Sequence, residues 1–251
     1  MPAVLYEKKG HIVIITLNRP EKRNAITIEM RDELIKSLID FRDDDDLWVA
    51  ILTGAGDVAF CAGLDFKEAV SRQAPMGPGE NYADPTSFGL WKPLIGAING
   101  MTFAGGVWFA LWCDIRIASE NAVFAILEPR VGVPPPGINP LIYHMPLGMA
   151  LELMFTGDTF DAHKALELGF VNKVVKLEEL MPTAISLAEH ICENAPLAIR
   201  VTKELVYRSI YPAPHARRGM WDIAAPCMYS EDLKEGFKAF VEKRPPVWKA
   251  K

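Results

Sequence analysis

Short apolar runs that alternate with helix-like segments constrain the fold of this chain more than any other feature. The first run, 12–17, is rich in β-branched residues and is followed by Pro20, which is typical of a buried strand. Segment 28–41 has apolar residues at three- and four-residue steps, which predicts an amphipathic helix. Further strands are predicted at 49–54, 93–100 and 113–119, and a helix at 105–112. Strands that alternate with helices indicate an α/β fold with parallel strands.

The final hundred residues have a different pattern, which is mostly helical. Helices are predicted at 149–155, 162–168, 177–194 and 196–208, and a single strand at 171–175. Segment 221–241 also favours a helix, and its apolar residues are Trp221, Met228, Phe237 and Phe240. These side chains are expected to need a second surface to pack against, which indicates oligomerisation.

Composition and charge exclude several classes of function. The chain has 251 residues, with 27 lysines and arginines against 32 aspartates and glutamates, so its net charge is −5. A weakly acidic protein of this kind is a poor binder of nucleic acid or membrane surfaces. No apolar run reaches the ~18 residues of a membrane span, no secretory signal is recognisable, and the four cysteines lack metal-site spacing. We therefore expect a cytoplasmic protein with reduced thiols, no metal, no nucleic-acid partner and no membrane partner.

Two glycine-rich turns are the candidate chemical features. The string GAGDVA at 54–59 resembles a dinucleotide fingerprint, but turn signals rather than a helix follow it, so a tight loop is the better interpretation. FCAGLD at 60–65 and NGMTFAGG at 99–106 are different, since each predicts backbone N–H groups that point into a cleft. Two such donors aimed at one point would form an oxyanion hole, and the helix after the second turn would favour negative charge there.

Several segments, in order and in register from about residue 5 to 246, resemble the crotonase superfamily, which is the enoyl-CoA hydratase and isomerase family. They are LNRPEKRNA (17–25), LTGAGDVAFCAGLDFKE (52–68), KPLIGAINGMTFAGG (92–106), CDIRIASENAVF (113–124), EPRVGVPPPG (128–137), FTGDTFDAHKALELGFVNKVV (155–175) and EGFKAFVEKRPP (235–246).

This resemblance implies a fold and a class of substrate. The fold would be a ββα spiral core at 1–195 that binds acyl-CoA, with a helical trimerisation region at 196–251. The assembly would be a homotrimer or a dimer of trimers. The substrate would be an acyl-CoA thioester whose enolate the protein stabilises. Coenzyme A would arrive with the substrate, so no separately bound cofactor is expected.

The resemblance also assigns the reacting groups. Leu64 and Gly105 correspond to the backbone donors of the oxyanion hole, and Ala104 stands where many members have glycine. Glu128 corresponds to the later of the two glutamates that hydratases use, whereas Trp108 stands in the position of the earlier one. One glutamate is enough to move a proton between Cα and Cγ. We therefore expect double-bond isomerisation first and water addition second.

Substrate contacts follow from the same resemblance. Coenzyme A would be contacted by Lys22, Arg23, Ala25, Ala62 and Asp65, and by Phe240 and Lys249 of a neighbouring chain. The acyl pocket would be built by Tyr82, Phe88, Trp91, Phe103 and Trp108. These aromatic residues are compatible with a cyclic or aromatic acyl group, and equally with a short, shielded pocket.

Other functions remain open at this point. Relatives with the same oxyanion hole carry out decarboxylation, dehalogenation or C–C hydrolysis, and Trp108 is compatible with all three. A few relatives bind RNA through a lysine-rich first helix. The helix predicted at 28–41 and the acidic run after it contain more acids than bases, so RNA binding ranks last.

Overall fold

The computed structural model describes residues 2–71, 84–210 and 229–247, and these form two β-sheets flanked by helices. The larger sheet has six strands in the order β1-β2-β3-β5-β7-β10, and the smaller has four in the order β4-β6-β8-β9. The strands are β1 (Val4–Lys9), β2 (Ile12–Leu17), β3 (Val49–Gly54), β4 (Ala59–Cys61), β5 (Leu94–Ile98), β6 (Met101–Phe103), β7 (Ile115–Ser119), β8 (Val123–Ala125), β9 (Phe160–Asp161) and β10 (Lys173–Val175).

Eight α-helices lie within the described residues. They are α1 (Ile28–Asp43), α2 (Phe66–Ser71), α3 (Gly105–Trp112), α4 (Leu147–Thr156), α5 (Ala162–Glu167), α6 (Leu177–Cys192), α7 (Pro196–Ile210) and α8 (Glu231–Glu242). Short 3₁₀ helices occur at Pro20–Lys22, Pro85–Phe88, Glu128–Val131 and Pro136–Tyr143.

The larger sheet is buried on both faces, which explains its continuous apolar runs. Val13 and Ile15 of β2 belong to the core that includes α1, whereas Ile12 and Ile14 belong to the core that includes α6. All neighbouring strands in this sheet are parallel except β1 and β2, which pair antiparallel. The crossovers that parallel strands require are supplied by the helices between them.

The smaller sheet brings three chain segments to one edge. Strands β4, β6 and β8 are parallel neighbours, so their carboxyl ends meet at the same edge. Residues 62–65 follow β4, Gly105 follows β6, and Glu128 follows β8. This arrangement places the three segments that the sequence analysis singled out beside one another.

The C-terminal helices are held to this body by polar contacts and by close packing. Lys203 of α7 is buried, and its Nζ donates to Asp114 Oδ2 at 2.8 Å and to the Lys92 carbonyl oxygen at 3.0 Å. The Tyr207 hydroxyl donates to Asp114 Oδ1 at 2.8 Å. Helix α8 begins at Ser230, whose hydroxyl accepts a hydrogen bond from the Leu233 N–H, and it packs against the Glu128–Val131 turn.

The α/β class and the helical C-terminal third are confirmed, and most predicted elements are present. The expectation of a single strand in the final hundred residues is wrong, because β9 also lies there and pairs with β8. Helix α8 covers the second part of the segment predicted at 221–241, and residues 221–228 lie outside the described residues. The division at residue 195 and the role of 196–251 in trimers stay predictions.

The described residues contain neither a membrane-spanning helix nor a cluster of metal-ligating side chains. None of their helices combines the length and apolar character needed to cross a membrane. In the same ranges, no group of three or more His, Cys, Asp or Glu side chains is arranged to hold a metal ion.

Candidate active site

A cavity of about 880 Å³ collects nearly all the residues that the sequence analysis named. The named residues that line it are Lys22, Arg23, Ala25, Ala62, Leu64, Asp65, Gly105, Trp108, Glu128 and Phe240. Lys249 lies outside the described residues, as does Tyr82. Of the other aromatic residues expected at the acyl end, Phe103 lines the cavity, whereas Phe88 and Trp91 do not.

The conformation of the loop before α1 is fixed by the side chain of one buried asparagine. Arg23 and Asn24 both have φ of 53°, which turns the chain back on itself. The Asn24 side chain is fully buried, and its Nδ2 donates to the carbonyl oxygens of Ala59 and Ala55 at 2.8 and 3.0 Å. Its Oδ1 accepts the Arg19 N–H at 2.9 Å. Asn24 therefore fixes the loop that presents Lys22 and Arg23.

Arg19 joins this loop to the turn after β4. Its Nη1 donates to the Ala25 carbonyl oxygen at 2.7 Å, and its Nη2 lies 3.1 Å from Asp65 Oδ2. The sequence analysis assigned no role to Arg19 or Asn24 individually. What could have identified these two residues is their position in the LNRPEKRNA segment, next to the residues expected to contact coenzyme A.

Leu64 and Gly105, whose backbone N–H groups are the expected donors, both line the cavity. The Ile26 N–H donates to the Gly63 carbonyl oxygen at 2.7 Å and the Asp65 N–H to the Ile26 carbonyl oxygen at 2.9 Å. The Leu64 N–H between them donates to no acceptor in the described part of the chain, and the same holds for the N–H of Gly105. A Cβ on Gly105 would lie only 3.8 Å from the Gly63 Cα, so the two turns pack against each other. This geometry suits two donors that share one acceptor oxygen.

Glu128 supplies an unusual carboxyl group to the same cavity. It is the first residue of the 3₁₀ turn after β8, and its Oε2 is buried with no hydrogen-bond partner. Burial raises the pKa of this carboxyl to about 7, because the charged form loses its hydration. A group with this pKa is both ionised and neutral at physiological pH, which suits a proton carrier.

Trp108 lies in the first turn of α3, three residues after Gly105. Its indole packs edge-on against Trp112, with ring centroids 5.5 Å apart, and it also lines the cavity. The other carboxylates that line the described cavity are Glu21 and Asp65, and Asp65 is paired with Arg19. The described cavity wall therefore has an aromatic side chain at the position where the resemblance places the earlier glutamate of hydratases.

The C-terminal helix covers one side of the cavity of its own chain. Phe240 and Phe237 of α8 pack on Phe66, with ring centroids 4.4 and 5.5 Å apart. Gly236 lies directly against the Val131 carbonyl, so that no side chain fits between α8 and the turn that begins at Glu128. Phe240 thus packs within its own chain and remains 54% exposed, and its expected contact with coenzyme A of a neighbouring chain stays a prediction.

Arg244, just after α8, adds a positive charge at the edge of the cavity. Its Nη1 and Nη2 lie 2.6 and 3.0 Å from the two carboxylate oxygens of Glu235. This pairing lowers the pKa of Glu235 to about 2, with a contribution from the Val247 N–H. Arg244 was not singled out from the sequence. With Lys22, Arg23 and Lys67 it makes the lining of the cavity partly basic, which suits phosphate groups.

An α/β fold with two backbone donors and a buried carboxyl in one cavity suits an enzyme that stabilises negative charge on a carbonyl oxygen and moves a proton beside it. Comparison with known sequences agrees, since residues 7–251 match the enoyl-CoA hydratase/isomerase family. This chain belongs to that family, and it is an acyl-CoA enzyme of the crotonase superfamily.

Individual relatives are similar over nearly their whole length. The chain is 39% identical to a carnitinyl-CoA dehydratase of Citrobacter koseri, with 98% of each chain covered, and 40% identical to one of Salmonella paratyphi A, with 97% of each covered. A carnitinyl-CoA hydratase structure from Mycobacterium avium superposes with a TM-score of 0.89 at 33% identity over all of both chains. An enoyl-CoA hydratase structure from Mycobacterium smegmatis gives 0.79 at 36% identity, covering 91% of this chain and 99% of the other.

These similarities confirm the crotonase fold that the resemblance implied. Because the names are those of hydratases and dehydratases, they support water addition or removal more than the isomerisation that the sequence analysis ranked first.

Proposed function

We propose that this enzyme catalyses the reversible addition of water to an enoyl-CoA, or its elimination from a 3-hydroxyacyl-CoA, with Glu128 as the proton carrier. The observation that carries this proposal is the buried Oε2 of Glu128, which lies in one cavity with two backbone N–H groups, all three without a partner in the described part of the chain. The hydratase and dehydratase relatives support the direction of the chemistry.

The two backbone donors would act on the thioester carbonyl. Removal of a proton from Cα moves negative charge onto that oxygen, where the N–H groups of Leu64 and Gly105 stabilise it. Gly105 begins α3, so the helix dipole adds to this effect. Loss of one such donor typically slows an enzyme by about 10²–10³-fold.

One carboxyl can complete an elimination when the proton and the hydroxyl leave from the same face. Ionised Glu128 takes the Cα proton, and the Cα–H electrons pass into the enolate. The enolate then expels the hydroxyl from Cβ, the double bond forms between Cα and Cβ, and the proton on Glu128 goes to the hydroxyl, which leaves as water. A pKa of about 7 makes both halves of this transfer accessible.

Coenzyme A would be held by the basic and small residues of the cavity lining. Lys22 and Arg23 are proposed to meet its phosphates, while Ala25, Ala62 and Phe240 line the passage for the pantetheine arm. Asp65 is proposed to act mainly through Arg19, which ties the two loops together. The cofactor portion arrives with the substrate, and we propose no other cofactor.

Double-bond isomerisation is the second candidate, and Trp108 favours it. An indole accepts no proton from water, so Glu128 alone would handle protons in the described cavity. A single carboxyl moves one proton between Cγ and Cα without binding water. The two candidates differ in stoichiometry, because isomerisation leaves the mass of the thioester unchanged.

The test is mass spectrometry of the products from a small panel of thioesters. The panel contains crotonyl-CoA, a 3-enoyl-CoA, 3-hydroxybutyryl-CoA and carnitinyl-CoA. The last is included because of the relatives' names, and because an indole such as Trp108 can bind a quaternary ammonium group through its ring face. Gain or loss of one water, absent in Glu128→Gln, is expected. A purely mass-neutral shift of the double bond would establish isomerisation instead, and no turnover of any member would refute both.

A further inference from the structure

Ala104, the residue immediately before Gly105, has a backbone conformation that L residues rarely adopt. Its φ is 49° and its ψ is −116°. Such a conformation costs free energy and persists only where the surrounding structure imposes it. Ala104 also lines the cavity, so the strain is located at the proposed reaction centre.

Hydrogen bonds on both sides impose this conformation. The Ala104 N–H donates to the Ala125 carbonyl oxygen of β8 at 2.9 Å. Its own carbonyl oxygen accepts from the N–H groups of Val107 and Trp108 at 2.9 and 3.3 Å. The residue is therefore fixed between the end of the small sheet and the first turn of α3.

The methyl group of Ala104 fills the space over Gly63. A side chain on Gly63 would begin 3.1 Å from the Ala104 Cβ and 3.0 Å from the Phe103 carbonyl oxygen. Gly63 has a φ of 88°, which also favours glycine. Gly63 precedes Leu64 and Ala104 precedes Gly105, so this contact lies directly behind the two free N–H donors.

We propose that Ala104 is a positioning residue whose methyl group braces the Leu64 turn against the Gly105 turn. The brace keeps both N–H groups at the separation that one oxyanion requires. Without the methyl group, three consecutive glycines at 104–106 would face Gly63 with nothing between the turns. The inference rests on the proposed thioester chemistry, and it gives the strained alanine a role that glycine at 104 would not fill.

Substitution Ala104→Gly is expected to move stability and activity in opposite directions. Relief of the unfavourable backbone conformation should raise the Tm, by about 2–4 °C for a chain of this length. The kcat should fall about tenfold, less than the loss expected when a donor is removed outright. The KM should stay within about twofold, since the groups proposed to hold coenzyme A lie elsewhere in the cavity.

Two variants serve as matched controls. Ala104→Ser keeps the Cβ atom and should retain kcat within about twofold of the wild type. Ala195→Gly makes the same chemical change in an exposed turn outside the described cavity, at a residue with ordinary φ. It should leave kcat unchanged and should not raise the Tm.

A second readout separates this inference from the proposed reaction. Acetoacetyl-CoA forms an enolate that absorbs in the near ultraviolet, so binding can be followed without turnover. The wild type should enhance this absorbance, and Ala104→Gly should weaken it. If the wild type turns over no panel member yet enhances the enolate signal, the proposed reaction fails and the signal decides the inference. Three results would each overturn the inference about Ala104. They are full kcat with an undiminished enolate signal in Ala104→Gly, a joint fall of kcat and Tm in that variant, and no enolate signal in the wild type.

Discussion

At the scale of single residues, the chemistry depends on how Glu128 is buried. Glu128→Gln keeps the size of the side chain but removes the proton carrier. We expect turnover to fall by at least about 10²–10⁴-fold, the usual contribution of general acid–base catalysis. Binding of acetoacetyl-CoA should persist, because the backbone donors are untouched. Rates near those of the wild type would show that another group moves the proton.

The raised pKa of Glu128 also predicts a pH-dependent effect on stability. The carboxyl has an ordinary pKa of 4.5 in the unfolded chain and about 7 in the folded chain. Ionisation of this carboxyl above neutral pH therefore lowers the free energy of unfolding. At pH 8 Glu128→Gln should therefore increase the free energy of unfolding by up to about 3 kcal/mol, and below pH 4.5 it should change little. Urea unfolding at the two pH values measures this difference, and an equal effect at both would contradict the raised pKa.

Trp108 is the residue that separates the two candidate reactions. Trp108→Glu would add a carboxylate opposite Glu128, and like charges at close range should raise the pKa of one of the pair further. We expect hydration of crotonyl-CoA to increase. The cavity left by the indole costs about 3–5 kcal/mol, so the Tm must be measured alongside. A wild-type rate already at about 10² s⁻¹ or more would mean that Trp108 does not hinder water.

Only part of this residue-level picture was accessible from the sequence. Glu128, Leu64 and Gly105 could be located because they occupy positions in recognisable segments. The partnerless Oε2 and the strained Ala104 could not, because both depend on how three separate strand ends meet.

At the scale of elements, the site is a product of the small sheet. Strands β4, β6 and β8 have three residues each, which is too few for a hydrophobic period to be recognised, so they were not predicted. Strand β1 was missed for another reason. It is an edge strand that contains Glu7, Lys8 and Lys9, and these charged residues interrupt the alternation of apolar and polar residues that identifies a strand. The buried strands of the larger sheet were predicted because their apolar runs are continuous.

Helix α8 is the second element on which the site depends. Since Gly236 lies against the Val131 carbonyl, a Cβ there would push α8 away from the turn that carries Glu128. Gly236→Ala should cost about 1–3 kcal/mol of stability and lower kcat. Gly148→Ala is the matched control, since a Cβ at that helical position meets nothing within 4 Å, and it should be neutral or slightly stabilising. Equal Tm and kcat in the two variants would show that α8 does not position Glu128.

At the scale of the whole molecule, helix α8 packs on the cavity wall of its own chain. The apolar pattern of α8 identifies which face must be covered, but not which surface covers it. In the structure, Phe66 covers part of this face by packing against Phe237 and Phe240, and Phe240 remains half exposed. A folded single chain should therefore keep the groups that we propose for catalysis.

Two exposed apolar stripes nevertheless support the predicted oligomer. They are Leu147, Leu151 and Phe155 on α4, and Leu197, Val201 and Leu205 on α7. Each repeats every four residues, so each forms one helix face, and exposed apolar faces of this kind commonly mark interfaces. We expect a trimer or a dimer of trimers in light scattering of the wild type.

The variant that tests the α4 stripe is Leu151→Glu with Phe155→Glu. It should sediment as a smaller species with an unchanged circular dichroism spectrum, because Phe155 is 76% exposed and its replacement leaves the core intact. Val58→Glu, at an isolated side chain that is 58% exposed, should leave the assembly unchanged.

Since the described site lies within one chain, the smaller species should retain most of its turnover. A wild type that sediments as a monomer would contradict the predicted oligomer, and inactivity of a well-folded small species would show that the site needs a neighbouring chain after all.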